Sequence, residues 1–281
     1  MNLAQSSRQA LLAELAALAA CPRAEGYACV AARREHGVRS VNVERPTLAI
    51  VLQGRKRVRS ASQALEFAPG DVFLMLRRCR LDAINIPDAA SGLYLTLTIP
   101  LCEQVIEAAR LLWTEAAPGD GEDIARLDSA DLADPLLRWT AALRAGRYAE
   151  ARTALAMLVI DLCRRGHTAL LLPPPPSLAG QLHELVLAQP AREWKSHHFE
   201  QALGLSGATL RRRLAAENTH LREIVATARL ACAIELLYTT RWPVKTIAAR
   251  VGYRSVSSFT RRFVARYGLE PGRIGNAEET P

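Results

Sequence analysis

The sequence predicts an α+β chain of two domains: an N-terminal β-barrel or sandwich with a helical hairpin, followed by an all-α domain carrying tandem helix-turn-helix units. Three observations lead there. The four prolines at 173–176 form an extended spacer between segments of different composition. Before the spacer, short β-prone runs alternate with turn residues. After it, every segment repeats its apolar residues at helical spacing.

Taken in order, 48–51 and 55–59 are short β-prone runs joined by Gln53-Gly54. Residues 65–67 lead into the turn Pro69-Gly70-Asp71 and the apolar run 72–76, and 93–99 is a β-rich run ending at Pro100. Many short strands between turns suit a small barrel or sandwich, expected over about residues 21–100. From 101 the period changes. Segments 101–113, 135–145 and 149–165 read as helices, with Asp134 as the cap and Pro135 as the first helical residue of the second. These helices, about 101–166, complete a regulatory domain spanning 1–171, and 172–177 is the linker. The C-terminal domain, 178–281, reads as helices over 178–189, 193–203, 207–217, 221–239, 244–251 and 255–267. The breaks fall at Gly204, Asn218, Pro243, Gly252 and Gly268, residues suited to turns and helix ends.

A chain of 281 residues with 49% hydrophobic content has ample material for two cores. Its formal charge is +8 and unevenly placed: from Ser177 onward 15 Lys and Arg face 9 Asp and Glu, leaving 21 against 19 before that point. The C-terminal third is therefore the part suited to an anionic partner. No uninterrupted apolar run reaches 18 residues, so neither a transmembrane helix nor a membrane partner is expected. The Ala/Leu-rich stretch 11–21 superficially resembles a secretory leader, but Glu14 interrupts it and only Arg8 precedes it, so a cytoplasmic location is expected. Cysteines 21, 29, 79, 102, 163 and 232 contain no CxxC pair and no small-domain framework, which suits reduced thiols. A thiol sensor among them needs an exposed cysteine of low pKa.

Two segments of the helical region echo one another. In the first, Leu203-Gly204-Leu205-Ser206 precedes Thr209-Leu210-Arg211-Arg212-Arg213-Leu214. In the second, Val251-Gly252-Tyr253 precedes Ser257-Ser258-Phe259-Thr260-Arg261-Arg262-Phe263. The spacing puts Leu210 with Leu214, and Phe259 with Phe263, on one buried face, so the intervening arginines face elsewhere. A helix-turn-helix needs this arrangement: a sharp glycine turn, then a helix whose exposed N-terminal half enters the major groove. Arginine there pairs with guanine O6 and N7 or sits on a phosphate. Ser206 and Ser257 suit both helix capping and DNA contact. One such pattern is a weak signal, but two joined by a helix of about twenty residues are a strong one.

At these residues the chain closely resembles the AraC family of transcription regulators, over roughly 194–274. The resemblance rests on Leu205-Ser206-x-x-Thr209-Leu210-x-Arg212-x-Leu214-x-x-Glu217, Arg229-Leu230-x-x-Ala233-x-x-Leu236-Leu237, Ile247-Ala248-x-x-Val251-Gly252-Tyr253, Phe259-x-Arg261-x-Phe263 and Tyr267-Gly268-x-x-Pro271. It implies sequence-specific binding to double-stranded promoter DNA, usually with activation and with RNA polymerase as a partner. Carried over by position, Ala208, Arg211 and Arg212 of the first unit and Val256, Ser257, Thr260 and Arg261 of the second face the bases, with Ser206 and Thr209 beside them. Two positions depart from the family pattern. Glu200 stands where a small alanine is usual in the first unit, and Asn218 stands where a glycine is usual. A glutamate at a tight helix crossing is expected to loosen that unit unless it reaches solvent.

The front half resembles, more loosely, the cupin-like N-terminal barrel of one AraC subgroup. The resemblance there rests on Arg45-Pro46-x-Leu48-x-Ile50-Val51-Leu52-Gln53-Gly54-x-Lys56-x-Val58 and Phe67-x-Pro69-Gly70-Asp71. It implies a small-molecule effector or a regulatory protein as ligand, and a homodimer formed through the helices that follow. The ligand-binding residues are unknown at this point. The basic runs at 55–59 and 77–80 suit either an anionic effector or a solvated strand face. His197, His198 and His220 are expected as surface contacts, and Trp113, Trp139 and Trp242 as packing residues. Only His36 precedes residue 167, too few imidazoles for a cupin metal centre, and no phosphate loop, nucleophile elbow or carboxylate pair stands out. No catalytic residue, metal or cofactor is expected. Two rival readings stay open: a metal-free cupin enzyme with a helical tail, and a switch worked by a protein partner.

Overall fold

The computed structural model describes residues 3–20, 26–116, 123–173 and 177–274. The chain divides into two compact units, Met1–Pro174 and Pro175–Pro281. Of the expected linker, residues 174–176 lie outside the described residues, as does Cys21.

The first unit starts with helix α1 (Leu3–Ala20), which the sequence marks only as a leader-like stretch. Leu11, Leu15 and Leu18 follow one another at helical spacing and are buried, so this helix belongs to the core. Among the described residues nine strands follow: β1 (Ala28–Ala32), β2 (His36–Val43), β3 (Thr47–Gln53), β4 (Arg55–Arg59), β5 (Ala64–Phe67), β6 (Asp71–Met75), β7 (Cys79–Ile86), β8 (Tyr94–Pro100) and, beyond helix α2 (Glu103–Leu112), β9 (Ile124–Asp128). They form two antiparallel sheets, of order β1-β8-β3-β6-β9 and β2-β7-β4-β5. Helices α3 (Ala133–Arg144) and α4 (Tyr148–Arg164) close the unit. The expected barrel limit at about 100 is thus too early, because β9 returns to pair with β6 after α2.

Side-chain alternation divides the interior into two cores. In β3, Leu48 and Ile50 join the cluster formed with α1, α2, α3 and α4, while Ala49 and Val51 join the cluster between the sheets. In β6, Val72 and Leu74 go to the helices, Phe73 and Met75 to the sandwich. These strands are buried on both faces, which is why they read as unbroken apolar runs. The cap expected at Asp134 is replaced. A 3-10 turn, Ser129–Leu132, runs directly into α3, and Asp128 caps that turn by accepting from the Ala130 amide at 2.8 Å. Asp134 and Pro135 therefore occupy the second and third helical positions, where no intrahelical donor is yet needed. Trp139 is buried edge-on to Tyr27 at 6.1 Å, and Trp113 is half-buried against the same core.

The second unit is all helix: α5 (Leu178–Ala188), α6 (Ser196–Leu203), α7 (Gly207–Ala216), α8 (Leu221–Thr239), α9 (Val244–Arg250), α10 (Val256–Tyr267) and the short α11 (Pro271–Ile274). Leu182, Val186, Phe199, Leu210, Leu214, Ile224 and Ala228 make one core. Ile247, Val251, Phe259 and Phe263 are fully buried around the second turn. Helix α6 starts three residues later than expected at 193, because Trp194 lies flat on Phe199, with centroids 4.8 Å apart and an interplanar angle of 13°, and holds the chain extended ahead of the helix. Trp242, expected to pack, is instead 38% exposed, with the Arg250 guanidinium 4.7 Å from its ring centre. Among the described residues no helix is long and apolar enough to cross a membrane.

Candidate functional site

The two helix-turn-helix units are α6–α7 and α9–α10, joined by the 19-residue α8. Each second helix begins on a serine. Ser206 accepts from the Thr209 amide at 3.3 Å and meets the Thr209 hydroxyl at 3.0 Å. In the other unit the cap is Ser255, not Ser257: Ser255 accepts from the Ser258 amide at 3.3 Å, and Ser257 lies within the first turn, 2.8 Å from the Ser255 hydroxyl. The serine cap falls before Val256 because the chain is still extended at Ser255.

With Leu210 and Leu214 inward, Ala208, Arg211 and Arg212 stand exposed on α7. On α10, Phe259 and Phe263 point inward and leave Val256, Ser257 and Arg261 exposed with Thr260 half-buried. Of the residues expected to face bases, all but Thr260 are exposed. His197 and His220 are exposed, and His198 accepts at Nδ1 from the Lys195 amide, 3.1 Å away.

Both departures from the usual pattern are accommodated. The Glu200 carboxylate accepts from the Ser196 hydroxyl at 2.5 Å and lies where a side chain at position 207 would sit, since a β-carbon there would be 2.8 Å from Glu200 Oε1. Gly207 thus makes the space that alanine at 200 would have left. Asn218 adopts φ 53°, the left-handed conformation that asparagine tolerates best after glycine. Glu217, at the end of α7, accepts from the Ser177 hydroxyl at 2.8 Å and from the Leu178 and Ala179 amides at 2.8 and 2.9 Å. Burial raises its pKa, but those three hydrogen bonds outweigh that and hold it below the usual range.

Arg229 fastens the two helix-turn-helix units together. It projects from α8 and donates to the carbonyls of Pro190 and Arg192, each at 2.9 Å, ahead of α6, while its guanidinium packs under Gly252 of the second turn. In the sequence Arg229 stands only as part of a pattern. Its partners lie 37 and 39 residues away, and no local signal points to them.

The first unit of the chain holds a second constellation. Strand alternation turns Arg55, Arg57 and Arg59 outward, where Glu66 pairs with the first two at 3.1 and 2.8 Å and Asp82 with the third at 3.0 Å. Arg77 and Arg78 likewise meet Asp123 and Glu44 at 2.9 and 2.8 Å. Five arginines of the basic runs thus stand outward in ion pairs, and Lys56 alone of the 55–59 run's basic residues turns inward. It lies in a cross-strand row, His36–Asn85–Lys56–Phe67. Its ammonium donates to Asn85 Oδ1 at 2.7 Å and stands 5.7 and 5.5 Å from the ring centres of Phe73 and Tyr94. The Thr96 hydroxyl donates to the Tyr94 phenol beside it. Burial lowers the Lys56 pKa from 10.5 to about 8. Burial also raises the thiols of Cys79, Cys163 and Cys232 to about 11, the opposite of what a reactive sensor requires.

Two family models match the chain: a helix-turn-helix domain over residues 200–277, and the AraC-type transcriptional regulator N-terminus over residues 26–161. Among curated relatives, the Escherichia coli transcriptional activator CfaD is 32% identical over 81 residues, 29% of this chain and 31% of CfaD. The dual regulator Rns, also from Escherichia coli, is 30% identical over 91 residues, 32% of this chain and 34% of Rns. An uncharacterized HTH-type transcriptional regulator of Mycobacterium tuberculosis is 39% identical over 69 residues, a quarter of this chain and a fifth of that protein. The matched part thus spans about a third or less of these relatives' length. Among solved structures, fatty-acid-bound wild-type ToxT of Vibrio cholerae superposes with TM-score 0.62 at 14% identity, covering 92% of this chain and all of ToxT. The apo K231A form gives 0.61 at 12%, covering 90% of this chain and 97% of the other. These likenesses establish a shared fold.

Proposed function

The chain belongs to the AraC-type transcriptional regulators, and on that premise we propose that it is a sequence-specific activator that reads double-stranded promoter DNA with two recognition helices, α7 and α10. The observation that carries this reading is the pair of serine-capped helices, fastened through Arg229, that leave Arg211, Arg212 and Arg261 exposed. Ala208, Arg211 and Arg212 read one major-groove segment, and Val256, Ser257, Thr260 and Arg261 the next. Ser206 and Thr209 sit at a helix N-terminus, where backbone amides favour a phosphate. The protein works in the cytoplasm and recruits RNA polymerase.

The N-terminal unit, read as a cupin-like regulatory domain, takes a small-molecule effector or a regulatory protein, and Lys56 is the interior charge that an anionic effector would meet. Its helices α2, α3 and α4 form the homodimer contact. The apolar residues Leu111 and Leu112, 86% and 64% exposed at the end of α2, support that assignment.

The test is selection of genomic fragments with the purified protein, followed by binding to the recovered sites. Arg212→Ala and Arg261→Ala are each expected to cost about 1 to 3 kcal/mol of specific affinity and to relax discrimination at one base position. Folded variants with unchanged affinity and unchanged discrimination would sink the assignment of these two helices.

A further inference from the structure

A groove of about 400 Å³ opens between the two helix-turn-helix units, framed by the start of α6, the first two turns of α8 and the side of α10. Its lining includes Trp194, Lys195, Arg222, Arg229, Tyr253 and Arg262. A second groove of about 350 Å³ shares Arg222, Ala226 and Arg262 with the first, so the two run together over the same stretch of α8. Their floor at Ala226 carries no side chain large enough to divide them.

Part of the charge in this channel is unspent. Arg229 is committed to backbone carbonyls, and Arg254, outside it, pairs with Glu193 at 3.4 Å. Arg222 and Arg262 are exposed, and among the described residues neither meets a carboxylate in an ion pair. The one carboxylate on either lining, Glu223, has His220 3.4 Å away. Arg262 immediately follows Arg261, so it leaves α10 about 100° around the helix from its neighbour, toward α8 rather than toward the bases. Recognition helices on one rigid unit that enter successive major-groove turns must have a stretch of DNA backbone passing between them. This channel lies between the units that carry α7 and α10, bordered by the start of α6, by α8 and by α10 itself.

We propose that the channel seats the sugar–phosphate backbone of the DNA between the two half-sites, with Arg222 and Arg262 as its phosphate anchors. The inference rests on the reading that α7 and α10 both enter DNA. It differs from that reading in the kind of contact: these arginines hold position and register and carry no base information. Lys195 at the mouth adds charge, and the small floor lets the backbone approach α8 closely. An acidic protein surface is the rival occupant. The channel's place between the two helix-turn-helix units, directly against α10, favours the nucleic acid.

The experiment uses the full chain, a recovered cognate site and a random duplex of equal length, with dissociation constants measured across a series of salt concentrations. Arg222→Ala and Arg262→Ala are each expected to weaken cognate and random binding alike, by about fivefold, and to reduce the magnitude of the log–log salt slope by about 0.9. Arg222→Lys and Arg262→Lys restore most of that slope, because a phosphate reads charge before geometry. Arg261→Ala, in the same assay, changes discrimination between sites. If the wild type binds its site specifically and the alanine variants keep the full slope and affinity, the inference is overturned. If they keep DNA binding but lose transcription in a reconstituted reaction, it is also overturned, and the channel belongs to an acidic protein. Absence of specific binding by the wild type would instead remove the DNA-reading premise itself.

Discussion

Alanine at position 252 is expected to destabilise the C-terminal unit by about 3 kcal/mol, whereas alanine at 204, the corresponding turn of the first helix-turn-helix, costs about 1. Both glycines have positive φ, 85° and 63°, so both substitutions meet the backbone penalty of a left-handed L-residue. They differ in surroundings. A β-carbon at 204 meets nothing within 4 Å, while one at 252 would lie 2.8 Å from the Arg229 guanidinium carbon and 2.8 Å from the Pro190 carbonyl oxygen. Arg229 then has to give up hydrogen bonds that tie α8 to the segment before α6. Because Arg229 links the segment before α6 to the turn at Gly252, Gly252→Ala is also expected to weaken DNA binding without touching any proposed DNA contact. Chemical unfolding of the two variants, followed through the C-terminal unit, checks this. Equal losses would mean that the packing of Arg229 under the turn contributes nothing.

Lys56→Met is expected to stabilise the N-terminal unit at pH 7 by about 2 kcal/mol. Burial lowers the Lys56 pKa from 10.5 to about 8, which corresponds to about 3 kcal/mol of penalty on the charged form. Removing the hydrogen bond to Asn85 returns about 1 of that. The sign against pH follows from proton uptake. Between about pH 8 and 10.5 the unfolded chain keeps a proton at Lys56 that the folded protein has released, so stability rises with pH across that window. Below it the penalty is fully present. The wild type is expected to show this rise from Lys56 and the Lys56→Met variant to lack it. Parallel profiles for the two proteins would show that the ammonium is better accommodated than its burial indicates.

Much of the C-terminal unit was legible in the sequence, since Gly204, Gly252 and the Leu and Phe pairs that follow them are local signals that survive without knowledge of the fold. Strands β3, β6 and β8 were legible as apolar runs. The missed elements lack contrast. Strand β2 is polar and irregular, with its register broken between Val38 and Val41 and Ser40 at φ 53°. Strand β7 alternates Arg, Asp and Asn with apolar residues. From residue 10 onward helix α1 is Ala and Leu except for Glu14, so its buried leucines are not set off by a continuous polar face. Lys56 was hidden by its neighbours: in composition it belongs with Arg55, Arg57 and Arg59, and only strand parity separates it from them. Arg222 and Arg262 are 40 positions apart, and their shared channel exists only once α8 and α10 are packed.

The alternation along β3 and β6 carries a practical consequence for remodelling this protein. Leu48, Ile50, Val72 and Leu74 serve the helix layer, while Ala49, Val51, Phe73 and Met75 serve the core between the sheets, where Phe73 meets Lys56. The core between the sheets can thus be repacked at one set of positions while the helix-facing set is left intact. A single-residue insertion in either strand would exchange the two sets beyond it. Libraries built by substitution should therefore yield folded proteins, and libraries that vary the length of these strands should not.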